Sequence, residues 1–126
     1  MIDIFDNSQV TLLAYNFLYG QVSNGGFIQL IQNGYAESVF NSPFAEIIKT
    51  WGAIKTGEIV EKANVIYNEH KDELDKETSL EEFSELYSQI TDFEPLEDEY
   101  FKIMDDETEI IKKYVEENTN EFKIDE

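Results

Sequence analysis

"SNGGFIQLIQNG", residues 23–34, sets two adjacent glycines ahead of an apolar run. Phe27, Leu30 and Ile31 recur at three- and four-residue steps, the period of one buried helix face. Asn24 suits the N-cap of that helix, and Asn33-Gly34 suits a left-handed stop after it. Two glycines at a helix start need a reason, because glycine costs roughly 1 kcal/mol per helical residue relative to alanine. In one reading the bare N–H groups at the helix start hold an anion. No basic residue within the stretch supports that reading. In the preferred reading Gly25 and Gly26, lacking Cβ atoms, let the helix start press against a neighbouring helix. Gln29 and Gln32 then serve a buried hydrogen-bond network or the surface.

The same helical spacing continues on both sides. Upstream, residues 8–19 form a helix whose Leu12, Leu13, Phe17 and Leu18 leave few polar faces, so it is central; Gly20 falls near its end or at a bend. Downstream, Ser42 caps a helix with Pro43 at its first position and Phe44, Ile47, Ile48 and Trp51 as its stripe; Gly52 ends it. Residues 53–75 are amphipathic through Ile59, Ala63, Ile66, Tyr67, His70 and Leu74. Ser79 and Glu82 have capping-box spacing ahead of Phe83, Leu86, Tyr87 and Ile90. A break at Pro95 precedes Leu96, Tyr100 and Met104, and Ile110, Ile111, Tyr114, Val115 and Phe122 mark a last helix. No period-two run of strand length occurs. The expected fold is all-α: one compact bundle-like domain over residues 1–126, with six or seven helices.

Composition narrows the function. The chain has 126 residues and no cysteine, which excludes disulfides and thiolate metal sites. "MIDIFDNSQV" carries acids where a secretory leader needs positive charge, and "VTLLAYNFLYG" is too short to span a bilayer, so a cytoplasmic location is expected. The net charge is −19, from 28 acids and 9 bases, all of them lysine. Residues 1–57 hold Asp3, Asp6, Glu37 and Glu46 with two lysines; the other 24 acids and seven lysines fall in residues 58–126. Such a field repels nucleic acid and anionic membrane and attracts basic partners.

"SNGGFIQLIQNG" followed by "IIKTWGAIKTGEIVEKANVIY" resembles the core motif of the bacterial DNA-mimic protein family. "LEDEYFKI" and "IIKKYVEEN" are similar to that family's C-terminal pattern, so the likeness covers roughly residues 10–122. Its most specific part is Asn24, Gly25, Gly26 and Phe27 with the following Gln29. The resemblance implies an all-α acidic domain that imitates duplex DNA and occupies a DNA-binding protein, such as a transcriptional regulator.

Helical geometry makes this imitation specific. Carboxylates at i and i+4 stand about 6 Å apart along a helix axis, similar to successive phosphates on one DNA strand. Glu81 with Glu85, Glu94 with Asp98, and Asp105 with Glu109 have that spacing. Glu69, Asp72, Glu73, Glu117 and Glu121 extend the supply. Side-by-side helices would turn such pairs into phosphate-like rows, although any acidic surface yields some pairs by chance.

Metal and enzyme chemistry have less support. "DKETSLEEF" has Leu80 where a calcium loop needs glycine, and Leu86 falls where its bidentate glutamate belongs. "DDETE", residues 105–109, is a carboxylate cluster without a defined ligand set. His70, the only histidine, reads as a core-edge residue with no catalytic acid, serine or cysteine beside it. No metal or cofactor is assigned.

The chain is therefore expected to be a non-enzymatic binding protein for a basic DNA-binding protein. It is not expected to bind nucleic acid or membrane itself, and a homodimer is compatible with the sequence. The first candidates for its binding face are Glu81, Glu85, Glu94, Asp98, Asp105 and Glu109. The alternatives are an immunity protein against a basic nuclease toxin, a small carboxylate- or metal-dependent enzyme, and an acidic domain whose charge only confers solubility.

Overall fold

Every regular element of the computed structural model is helical, and it describes residues 7–41, 43–74 and 80–122. Seven α-helices run among them: α1 Asn7–Gln32, α2 Ala36–Phe40, α3 Phe44–Thr50, α4 Ile54–Glu69, α5 Lys71–Leu74, α6 Leu80–Gln89 and α7 Glu94–Glu117. A single 3-10 turn, Thr119–Glu121, follows α7. The all-α expectation holds, and its bundle is compact.

Helix α1 is the central element. It runs past Gly20 without a break, beyond the expected end at residue 19. Gly20 has open space where a Cβ would stand, so neither a turn nor a close neighbour interrupts the helix there. The interruption comes at the glycine pair: Gly25 has φ −153° and Gly26 has φ 78° with ψ −173°. Asn24 is therefore the last helical residue before the kink, not an N-cap after it. Its amide instead donates to Gln29 Oε1 at 3.3 Å. Beyond the kink, Phe27, Ile28, Leu30 and Ile31 are all buried. A Schellman stop then ends α1, with Gly34 N–H donating to Ile31 O and Tyr35 N–H to Leu30 O, while Gly34 takes φ 91°.

The stop at Gly52 repeats this pattern. Gly52 N–H donates to Lys49 O and Ala53 N–H to Ile48 O, which turns the chain from α3 into α4. Those two helices meet closely because of Gly57: a Cβ there would lie 2.9 Å from Ala45 O. Pro43 stands one position before α3 and Pro95 lies in the first turn of α7, where a missing N–H costs nothing. Ser42 and Ser79, the two expected caps, lie outside the described residues, as do the side chains of Phe83 and Tyr87.

Three expectations change with the tertiary structure. The short helix α2 went unread because five residues carry too little periodic signal. The amphipathic segment from residue 53 breaks at His70 into α4 and α5. Most importantly, the two helices expected after Pro95 are one continuous helix, α7, with Phe122 beyond it.

Helix α7 underlies both α1 and α4. It runs antiparallel to α1, as four side-chain bonds show: Ser8 to Glu121, Tyr15 with Thr108, Tyr19 to Asp105, and the Phe27 N–H to Glu97. Its inner face buries Leu96, Tyr100 and Ile111. Trp51 stacks on Tyr114 at 4.8 Å, with Phe122 edge-on to Trp51, and closes that end of the core.

Candidate functional site

Helix α7 carries ten acids and divides them by depth. Glu97 and Glu107 are buried; the other eight are exposed. The division follows from the 100° turn per residue. Glu94, Asp98, Asp105, Glu109 and Glu116 fall within an arc of about 60° on the solvent side. Glu99, Asp106 and Glu117 form a second line about 100° round the helix. From Glu94 to Glu116 the first line spans about 33 Å, at 1.5 Å per residue. Lys102 and Lys113 lie between the two lines, and Lys112 reaches Glu109 at 3.4 Å.

All six candidates from the sequence are exposed. Glu94, Asp98, Asp105 and Glu109 share one face of α7, whereas Glu81 and Glu85 stand on α6. Glu99, Asp106 and Glu116 also belong to the exposed faces of α7 and were not singled out. Their signal was present in the 3.6-residue period, but only across an unbroken helix. Glu121, counted among the spare acids, is occupied: it accepts from Ser8 Oγ at 2.7 Å and from Tyr114 OH at 2.8 Å.

The two buried acids do a different job. Glu97 Oε2 accepts the N–H of Phe27 at 2.8 Å, at the helical restart after the kink. Glu107 Oε1 accepts the N–H of Thr56 at 2.8 Å, in the first turn of α4. Each carboxylate satisfies a donor that the helix itself leaves open and meets the positive end of that helix. The glycine pair thus does receive an acidic group, and that group is the chain's own Glu97. A Cβ on Gly26 would lie 2.9 Å from Glu97 Cδ, so the close neighbour is a side chain of α7. Gln29 completes the motif by donating to Gln21 Oε1 at 3.1 Å, which also accepts from Asn33 at 2.7 Å. Gln32 donates to the carbonyl of Leu74.

Burial sets the titration of the inner groups. Desolvation pushes the Glu97 carboxyl above the ordinary glutamate range; the Phe27 N–H opposes this and the neighbouring Glu94 and Asp98 add to it. Burial raises the Tyr15 phenol to about 12, against the bond to Thr108. Tyr100 is pushed up further by the same cause.

Among the described residues, no helix is long and apolar enough to cross a membrane. His70 is half-buried at the end of α4, as a core-edge residue would be, and its Nε2 lies 3.6 Å from Asp92 Oδ2.

Comparison with known proteins bears on this acidic helical architecture. The model of the family described as DMP19-like protein matches residues 5–118, which reach from before α1 to just past the end of α7. The chain belongs to the DMP19-like family. It is also 27% identical over 124 residues to the DNA mimic protein DMP19 of Neisseria meningitidis serogroup B (strain ATCC BAA-335 / MC58). That alignment covers 96% of this chain and 74% of the relative. The matched DMP19-like segment contains the glycine kink, both capping glutamates and the whole carboxylate face of α7. The resemblance to a DNA-mimic family seen in the sequence is borne out.

Proposed function

We propose that this DMP19-like chain is a non-enzymatic protein that occupies the DNA-contacting surface of a basic DNA-binding protein, such as a transcriptional regulator. The exposed carboxylates of α7 stand in for backbone phosphates. The observation that carries this reading is the row Glu94, Asp98, Asp105, Glu109 and Glu116 along one rigid helix. Within the row, the i,i+4 pairs repeat a spacing of about 6 Å. A continuous helix holds such charges in place without ordering a loop, so little entropy is lost on binding. Glu81 and Glu85 on α6 are two further exposed carboxylates. Membership in the DMP19-like family and the name of the Neisseria relative support the same reading. The net charge of −19 adds long-range attraction for a basic surface and repels nucleic acid.

The mechanism is competition: the partner cannot hold this chain and duplex DNA on one surface. The test is retention of interacting proteins at low salt, elution with a salt gradient, and then displacement by duplex DNA. Changing Glu94, Asp98, Asp105 and Glu109 to lysine should weaken the complex at least tenfold with the helical spectrum intact. Exposed substitutions usually cost within about ±0.5 kcal/mol each. The complex should also weaken steeply as salt brings the Debye length to about 8 Å. A partner that binds this chain and DNA together, with neither affecting the other, would overturn competitive mimicry. A captured nuclease whose active site is blocked would instead support the immunity reading.

A further inference from the structure

The single histidine lies where the end of α4 meets the turn ahead of α7. Residue His70 closes α4, and Asp92 lies in the turn just before α7, twenty-two positions further along the chain. Glu69, the last residue of α4, joins them. Each of the three offers one ligand atom, and these atoms all lie within 4.8 Å of one another. We propose that Glu69, His70 and Asp92 form a zinc-binding site.

The chemistry of the donor set favours zinc over calcium and magnesium. Calcium and magnesium take oxygen ligands, whereas zinc takes imidazole nitrogen together with carboxylate oxygen. Three protein ligands with a fourth position left to water is a common zinc arrangement. The geometry agrees with this choice. The separation of 3.6 Å between His70 Nε2 and Asp92 Oδ2 is longer than an ordinary N–H···O bond. It is close to the edge of a zinc tetrahedron, about 3.3 Å for bonds of about 2.0 Å. Glu69 and Asp92 are both exposed, with their ligand atoms within 4.8 Å of one another and of that of His70. The same exposure gives an ion access from solvent, while His70 is only partly exposed.

Bound zinc would tie the end of α4 to the turn just before α7.

Calorimetric titration of zinc chloride into the full chain, in excess magnesium to occupy weak carboxylate sites, tests the proposal. One zinc per chain is expected. Affinity should fall at least about tenfold in His70→Gln, Glu69→Gln and Asp92→Asn, and remain unchanged in the Glu81→Gln/Glu85→Gln variant. The ring-proton resonances of His70 should shift on zinc addition. Asp92→Asn alters only an exposed turn residue, so it preserves the test if His70→Gln fails to fold. Several weak equivalents of zinc, bound equally well by the His70 and Asp92 variants, would overturn the site. Imidazole resonances that stay unmoved would do the same.

Discussion

Glu97 and Tyr100 lie three residues apart on α7, and both are polar side chains within the protein interior. The carboxylate of Glu97 is anchored by the N–H of Phe27, yet its burial still raises its pKa. A raised carboxyl pKa means that the fold favours the protonated form. Its contribution to stability is full below the ordinary glutamate range and is lost as pH rises through the raised value. Glu97→Gln keeps the acceptor oxygen and removes this titration. Urea unfolding of the two proteins between weakly acidic and neutral pH should therefore show the variant gaining on the native chain as pH rises. Tyr100 presents the opposite problem: its hydroxyl is buried with no hydrogen-bond partner among the described residues. Tyr100→Phe removes a desolvated donor and leaves the ring in place. Its melting temperature should equal or exceed that of the native chain, by up to about 1 kcal/mol of stability, and a marked loss would reveal a partner for the hydroxyl.

At the scale of the element, α7 combines two roles that a composition cannot separate. One side of the helix supplies capping carboxylates to α1 and α4; the other presents acids to solvent. Asp106 and Glu107 are neighbours in sequence with opposite fates, exposed and buried. Removing Glu107 leaves the Thr56 N–H without its acceptor inside the protein. Glu107→Ala should cost about 1–3 kcal/mol, whereas Asp106→Ala should stay within about ±0.5 kcal/mol. Equal effects in chemical denaturation would mean that the cap on α4 is not formed. The same reasoning explains the kink in α1. The glycine pair interrupts a long helix where Glu97 arrives from α7, and Gly26 adopts a φ of 78°, which side chains with a Cβ rarely take.

Across the whole molecule the dominant force outside the core is self-repulsion. A net charge of −19 on a chain of 126 residues opposes compaction, and only a few ion pairs among the described residues offset it. Salt screens that repulsion. Raising ionic strength from about 0.01 M to about 0.15 M shortens the Debye length from about 30 Å to about 8 Å. The isolated chain should gain about 1 kcal/mol of stability, or about 3–5 °C in melting temperature for a domain of this size. The complex with a basic partner should weaken over the same range. Opposite responses of fold and complex to one variable are the expected signature of a surface kept acidic for binding. A melting temperature that does not rise with salt would show that the carboxylates are too far apart to strain the fold.

The helical class, the core stripes of α3 and α4 and the acidic second half were legible in the sequence, because they depend on local period and composition; Leu13 and Ile110, read with the apolar faces of their helices, are instead exposed. Phe44 and Ile48 on α3 and Ile59, Ala63 and Tyr67 on α4 are buried as their spacing requires. Gly34 and Gly52 end their helices because a positive φ is a property of the residue itself. The length of α7 was less legible, since the acidic run at residues 105–109 separates its two apolar stretches in one dimension. What local spacing could not reveal is which acids are turned inward. Glu97 and Glu94 look alike in one dimension; only the packing of α7 under α1 and α4 sends one to a helix terminus and the other to solvent. Likewise, only the return of the chain brings Asp92 beside His70. Periodicity shows which face a helix buries, but the partner of a polar side chain is chosen by distances between residues far apart in sequence, and those distances exist only in the folded chain.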